Sequence, residues 1–158
     1  MSEVTNKSAS AGFTLIELMI VIALIAIVAT IAVPSFSRLV ESNRLTAATN
    51  DLVGVINLAR SEAIRYGQTV TVSPRTVDGT SAFENGAEVS VGSTQLRVTP
   101  PPGPGISVSN VGAFTFRGNG LANTTLALKI CGSAPDGREI QVSLGGQVRV
   151  VSDGISCP

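Results

Sequence analysis

The sequence predicts an α+β protein in which a long N-terminal helix packs on an antiparallel β-sheet domain. An apolar run covers residues 13–33, and helical spacing continues over residues 34–66. After Gly67 the period of the apolar residues changes from 3.6 to 2. The expected order is a polar leader at 1–12, a transmembrane helix at 13–33, the amphipathic half of the same stem helix at 34–66, and the β domain at 67–158.

The first half of the stem is apolar enough to enter a bilayer. Residues 13–33 form a run of 21 residues with one charge, Glu17. Such a helix spans ~30 Å, the thickness of the hydrocarbon core. Its Leu, Ile, Val and Phe residues favour insertion by ~4–8 kcal/mol, whereas one carboxylate costs at most ~3 kcal/mol. An ordinary single-pass anchor fits this pattern. A cleaved secretory signal fits it poorly because the run is too long.

Glu17 needs a partner or a proton in apolar surroundings. Thr14 and Glu17 have the spacing of a capping box, in which the carboxylate reaches back to free N–H groups of the first turn. Glu17 could instead be protonated in lipid. The residues alone leave both alternatives open.

The second half of the stem begins at Pro34, which removes one helical N–H and crowds the preceding turn. We predict a kink or a locally melted turn there, because helical spacing resumes after it. Apolar residues then recur at threes and fours and predict a stripe that packs on the β domain: Leu45, Ala48, Leu52, Val55, Ile56, Ala59 and Ala63. The polar face carries Arg38, Glu41, Arg44, Asp51, Arg60 and Arg65. Gly67 fits a left-handed C-cap.

Short alternating segments separated by turns predict antiparallel β structure after Gly67. The predicted strands are residues 70–72, 96–98, 106–108, 114–116, 126–130, 140–144 and 148–150. Pro74 is expected to end the first strand, and residues 75–93 read as a long loop with one weak strand at 87–91. Residues 131–137 are expected to form a loop with an Asp136-Gly137 turn. Gly145-Gly146 is expected to form a two-residue hairpin turn.

Composition argues against an enzyme and against a nucleic-acid surface. The chain has no His and a formal net charge of zero, so neither a histidine-based catalytic site nor a basic nucleic-acid face is expected. No cofactor and no metal site are expected. Cys131 and Cys157 are either a disulfide or two free buried thiols. A disulfide closing ~26 residues would stabilise the domain by ~3–4 kcal/mol.

The segment Gly12-Phe13-Thr14-Leu15-Ile16-Glu17, with the apolar run after it, resembles the processing motif of type IV pilins and type II secretion pseudopilins. Residues 43–63 are similar to the FimT/FimU/GspH branch of that family, the minor pilins and minor pseudopilins. The resemblance implies that a prepilin peptidase cleaves between Gly12 and Phe13 and that Phe13 is then N-methylated. It also implies that Glu17 pairs with the Phe13 ammonium of a neighbouring subunit during assembly.

The same resemblance implies a place and a set of partners. The chain would cross the bacterial inner membrane once, in contact with its lipid, with the C-terminal domain in the periplasm. It would later enter a pilus at or near its tip, with other minor pilins and the major pilin as partners. The Cys131 and Cys157 pair is similar to the C-terminal pair of FimU-like proteins.

Three functions follow from the resemblance. The favoured one is a minor pilin of the type IV pilus initiation or tip complex, which primes assembly and links to the major pilin. One alternative is a GspH-like minor pseudopilin of a type II secretion system. The other is a FimT-like DNA-binding minor pilin. Relatives of that kind use a Gly-Arg-x-Arg turn, whereas this chain has Gly146-Gln147-Val148-Arg149. One arginine on a neutral domain disfavours DNA as a partner and leaves Arg149 as the candidate DNA contact.

Overall fold

The computed structural model describes residues 13–109, 111–132 and 137–157. The chain divides into two compact units, Met1–Ser37 and Arg38–Pro158, called unit 1 and unit 2 below. The predicted leader at 1–12 and the predicted turn at Asp136 lie outside the described residues.

Unit 1 contains the first part of helix α1 (Leu15–Tyr66), a helix of 52 residues that continues into unit 2. The large apolar side chains of this part are exposed within the structure. The helix is long and apolar enough to cross a membrane by its length and composition. The melted turn predicted at Pro34 is absent, since α-helix is continuous through that residue. The predicted kink stays a prediction.

Unit 2 begins with the second part of α1, and this part buries the predicted apolar stripe. The seven predicted residues are all buried, together with Thr49, whose hydroxyl donates a hydrogen bond to the Leu45 carbonyl (2.7 Å). Gly67 follows the helix with φ +62, as predicted for a left-handed C-cap.

Eight strands follow α1 in the described residues. They are β1 (Val70–Val77), β2 (Thr80–Val91), β3 (Thr94–Val98), β4 (Ser107–Val108), β5 (Phe114–Phe116), β6 (Leu126–Cys131), β7 (Gly137–Val142) and β8 (Val148–Val151). They form two four-stranded sheets with the orders β3-β2-β1-β5 and β4-β6-β7-β8, and every neighbouring pair is antiparallel. This arrangement confirms the predicted α+β class.

One hydrophobic core joins the helix stripe to both sheets. Its largest fully buried side chains outside the helix are Phe83, Phe114, Phe116, Leu128, Ile130 and Ile140. The rings of Phe114 and Phe116 lie edge to face, with centroids 6.0 Å apart. Since apolar burial contributes roughly 25 cal/mol per Å², these side chains supply much of the force that holds the helix on the sheets.

The prediction of a long loop at residues 75–93 is wrong, although the weak strand predicted at 87–91 is present as the second part of β2. This segment holds the end of β1 and the whole of β2, joined by the turn Asp78-Gly79. Both turn residues have positive φ (50 and 78), which is the backbone of a two-residue hairpin turn. Pro74 does not end β1, because the ladder register shifts between Pro74 and Arg75, and an irregularity of this kind tolerates the missing N–H.

The turn between β7 and β8 also differs from the prediction. Gly145 and Gly146 do not form a two-residue turn. The backbone N–H of Gly146 donates to the Ser143 carbonyl (2.8 Å), and that of Ser143 donates to the Gln147 carbonyl (3.0 Å). The loop therefore has three residues, with Gly146 in the left-handed position at φ +73. Leu144 lies in this loop and is exposed, so it does not continue the predicted strand.

Candidate functional site

Helix α1 begins with a cap on Thr14, next to the acid singled out in the apolar run. The hydroxyl oxygen of Thr14 accepts a hydrogen bond from the backbone N–H of Glu17 (3.2 Å), and the Thr14 carbonyl accepts from Leu18 (3.2 Å). This is the threonine half of a capping box. Across residues 13–109, 111–132 and 137–157, the Glu17 carboxylate has no hydrogen bond or ion pair. The carboxylate is therefore available to a group outside these residues.

The peptide bond at the start of the apolar run lies before the helix. Phe13 and Thr14 are not helical, and Phe13 is 84% exposed. Gly12, the other residue of the predicted processing site, lies outside the described residues. Its cleavage and the methylation of Phe13 stay predictions.

Pro34 lies inside α1, four residues after Thr30. Two hydroxyl groups flank it: Thr30 donates to the Ile27 carbonyl (2.7 Å), and Ser37 donates to the Pro34 carbonyl (3.0 Å). Proline donates no N–H, so the Thr30 carbonyl lacks its usual helical partner. This turn of α1 thus has one main-chain hydrogen bond fewer than its neighbours.

The structure contains a disulfide between Cys131 and Cys157, with the Cα atoms 5.7 Å apart. It fastens the C-terminal segment to the end of β6. The backbone N–H of Gly137 donates to the Ile155 carbonyl (3.1 Å), and a Cβ on Gly137 would lie 2.5 Å from the Cys157 sulfur. Glycine is therefore needed at 137. The alternative of two free thiols is wrong.

Arg149, the candidate DNA contact, lies on the solvent side of β8. It pairs across the ladder with Gln141, which pairs with Ala127 on β6. A hollow of about 480 Å³ lies over this row and is lined by Arg149, Gln147, Gln141, Ser143, Thr125, Ala127, Leu126 and Val142. Arg149 is the one charged residue in that lining, so the hollow offers a single contact to a phosphate.

Two arginines tie α1 to distant parts of the sheets, and sequence reasoning missed both contacts. Arg60 is half-buried, and its guanidinium donates to the carbonyls of Gly120 (3.1 Å) and Gly145 (3.3 Å). Arg138 on β7 donates to the Thr46 hydroxyl (2.8 Å). The helical period places Arg60 on the polar face. No sequence signal identifies its partners, because backbone carbonyls belong to every residue type.

The described residues offer no arrangement for metal chemistry. They contain no group of three or more His, Cys, Asp or Glu side chains close enough to hold a metal ion, and no free cysteine. The features that stand out are instead an exposed apolar helix with one acid, a disulfide and a compact β domain.

Two family models match the sequence. One, described as Type II transport protein GspH, matches residues 48–146, and the other, described as Prokaryotic N-terminal methylation motif, matches residues 7–33. The first covers the amphipathic half of the helix and most of the β domain. The second covers the apolar run with Phe13 and Glu17.

Two kinds of curated relative are similar to this chain. A fimbrial protein of Pseudomonas aeruginosa is 34% identical over 96 residues, which are 58% of this chain and 60% of that protein. A type IV major alpha-pilin of Moraxella bovis is 31% identical over 123 residues, which are 77% of this chain and 72% of that protein. The match thus spans about 60% of the length of the fimbrial protein.

The fold is also similar to solved structures of the type IV minor pilin FimU from Pseudomonas aeruginosa. In one crystal form the TM-score is 0.64 at 20% identity, covering 74% of this chain and 95% of the other. In a second crystal form the TM-score is 0.60, covering 72% and 97%. The likeness at this identity is one of fold.

Proposed function

The chain belongs to the GspH/FimU family of type IV minor pilins, and we propose that it is a structural subunit of the initiation complex at the tip of a type IV pilus. There it primes assembly and links the other minor pilins to the major pilin. It has no catalytic role; instead, it is a substrate of the prepilin peptidase.

The exposed apolar half of α1 carries this proposal. Within the structure nothing covers the side chains of its most apolar window. Such a surface is stable in a bilayer or against other apolar helices, and not in water. A helix that first lies in the bilayer as an anchor and later packs against other helices in the filament has apolar surroundings at both stages. The subunit therefore begins in the inner membrane, with unit 2 in the periplasm, and enters the pilus by exchanging lipid for neighbouring helices.

Glu17 fixes the axial register between neighbouring subunits during this exchange. After cleavage before Phe13, the new N-terminal ammonium lies near the same apolar surroundings as the carboxylate. Pairing of Glu17 with the Phe13 ammonium of a neighbouring subunit would satisfy two charges that are costly to leave alone in low dielectric. The Glu17 carboxylate, which has no partner among the described residues, and the cap on Thr14 support this assignment, because capping uses the backbone N–H of Glu17 and not its side chain.

A GspH-like role in a type II secretion system is the second candidate. The match to the GspH model over residues 48–146 favours it, since that model is described by type II transport. The two roles share the anchor, the processing site and the fold. They differ in the fibre that the subunit enters.

Recovery of the fibre tests the proposal. Pili are sheared from cells, and mass spectrometry identifies peptides of this chain, with the first residue expected to be a methylated Phe13. Deletion of the gene should reduce the number of surface pili and leave secretion of exoproteins unchanged. Normal piliation with lost secretion would establish the second candidate instead.

DNA binding through Arg149 has the weakest support, because the hollow around it contains one cation. A gel shift at low salt with the full chain in detergent tests it. Tight binding that is lost on Arg149→Ala would reverse this ranking.

A further inference from the structure

The end of unit 2 at which α1 finishes is built from three segments packed through glycines. They are the last turns of the helix, the turn at 117–121 and the β7–β8 loop at 143–147. A Cβ on Gly118 would lie 2.5 Å from the Gly67 carbonyl oxygen, and a Cβ on Gly120 would lie 2.9 Å from Ile64. The N–H of Ala122, directly after the second segment, donates to the Leu144 carbonyl of the third segment (3.0 Å).

These three segments carry several of the exposed large hydrophobic side chains of unit 2. Among the described residues from Arg38 onward, the exposed large hydrophobic side chains are Leu39, Ile64, Tyr66, Val77, Val98, Leu121, Leu144 and Val150. Half of them lie at this one end. Leu144 is 56% exposed and Ile64 is 53% exposed. We call Ile64, Tyr66, Leu121 and Leu144, together with Arg65 and Arg117, the helix-end surface.

Positive charge accompanies the apolar side chains. Arg65 and Arg117 are exposed, and Arg60 is half-buried with its guanidinium on the Gly120 and Gly145 carbonyls. The acid in the same helical turns is Glu62, which lies 2.7 Å from Arg65. In the described part of the chain the Arg117 side chain has no hydrogen bond or ion pair. Three guanidinium groups against one carboxylate leave this end cationic.

We propose that the helix-end surface docks a different pilin-like subunit, which presents carboxylates among aliphatic side chains. This inference rests on the proposed function and names the partner face that it requires. An acidic face complements Arg117 and Arg65, and exposed aliphatic side chains are buried by a protein partner rather than by a phosphate backbone. A second copy of this chain fits less well, because residues 38–158 contain ten basic and nine acidic residues and offer no acidic excess.

Photocrosslinking in cells that assemble pili tests the surface. The full chain carries p-benzoylphenylalanine in place of Leu144 or, in a separate strain, Leu121. The matched control carries it in place of Val77, which is exposed in the β1–β2 hairpin. The adducts are identified by mass spectrometry. Arg117→Glu is then combined with the Leu144 probe, and Arg75→Glu is its charge-matched control.

We expect both leucine positions to give an adduct with another chain that has the pilin N-terminal motif, and the Val77 position to give little of it. Arg117→Glu should lower the adduct yield about tenfold, because it weakens the affinity for the acidic partner. Arg75→Glu should leave the yield unchanged. Equal yields at Leu144 and Val77, or adducts only with DNA or with a second copy, would overturn the inference. The content of sheared pili is measured on the same cultures. If the chain is present in pili but gives no such adduct, the docking inference fails and the proposed function stands.

Discussion

The guanidinium of Arg60 lies 3.3 Å from the carbonyl oxygen of Gly145, a residue 85 positions later in the chain. The same side chain donates to the Gly120 carbonyl at 3.1 Å. One arginine of the stem helix therefore holds the turn that follows β5 and the loop between β7 and β8. Gly120 lies between β5 and β6, whereas Gly145 lies between β7 and β8, and Arg60 donates to both carbonyls.

Replacement of Arg60 should loosen this end of unit 2. Arg60→Ala removes two charge-assisted hydrogen bonds to main-chain carbonyls, so we expect a loss of ~1–3 kcal/mol in the free energy of unfolding. Urea titration of the full chain in detergent, followed by limited proteolysis of the β7–β8 loop, measures the effect. Arg44→Ala is the control, because Arg44 is exposed on the same helix. Equal losses in both variants would contradict the role of Arg60.

Gly146 is required by both its backbone and its neighbours. Its φ is +73, and an added Cβ would overlap the Gly120 carbonyl oxygen and lie 2.8 Å from the Arg60 guanidinium. We expect Gly146→Ala to destabilise unit 2 by at least ~1 kcal/mol, because an L side chain is strained at that φ even without a clash. The neighbouring Gly145→Ala is a close control, since a Cβ there would meet nothing closer than 3.7 Å. The difference between the two midpoints in urea is the measurement.

Reduction of the Cys131–Cys157 disulfide should lower the stability of unit 2 by ~3–4 kcal/mol, because the crosslink restricts the unfolded chain. The melting temperature of the full chain in detergent is compared with and without reductant. A Cys131→Ser, Cys157→Ser double variant should start from the lower value and show no response to reductant. If reductant shifts the wild-type chain no more than the double variant, the disulfide does not stabilise the domain.

The buried stripe of α1 was predictable because its spacing follows from helical geometry, and the C-cap because glycine alone adopts that backbone easily. The β1–β2 hairpin was missed although Asp78-Gly79 carries a recognisable turn signal, since Pro74 suggested an early end to the strand. Thr49 and Arg60 could not be predicted. Thr49 is a polar residue that satisfies its hydroxyl within the helix, and Arg60 binds carbonyls that any residue supplies.

Substitutions at Glu17 and Thr14 distinguish two roles of the helix start: pairing of the carboxylate with a neighbouring subunit, and capping of the helix. Glu17→Gln removes the charge but keeps the size of the side chain, so membrane insertion should persist while incorporation into pili falls severalfold. Thr14→Val removes the hydroxyl that accepts the Glu17 N–H and should cost about 1 kcal/mol of capping, with incorporation largely retained. The ratio of membrane-bound to pilus-bound protein is measured for each variant. Loss of incorporation in Thr14→Val alone would make capping the important role.

The proposed processing at Gly12 should require a small residue at that position. Phe13 and Thr14 precede the first turn of α1, so the residues directly after the proposed cleavage point are not helical. Gly12→Ser adds a side chain next to that bond, and we expect the leader to remain attached and the subunit to stay out of pili. Ala11→Ser is the control, since it places the same serine side chain one residue earlier. Intact-mass measurement distinguishes the chain that begins at Phe13 from the uncut chain. A Gly12→Ser chain that remains uncut yet enters pili at the normal level would separate cleavage from assembly, because the Phe13 ammonium that Glu17 is proposed to pair with would not exist.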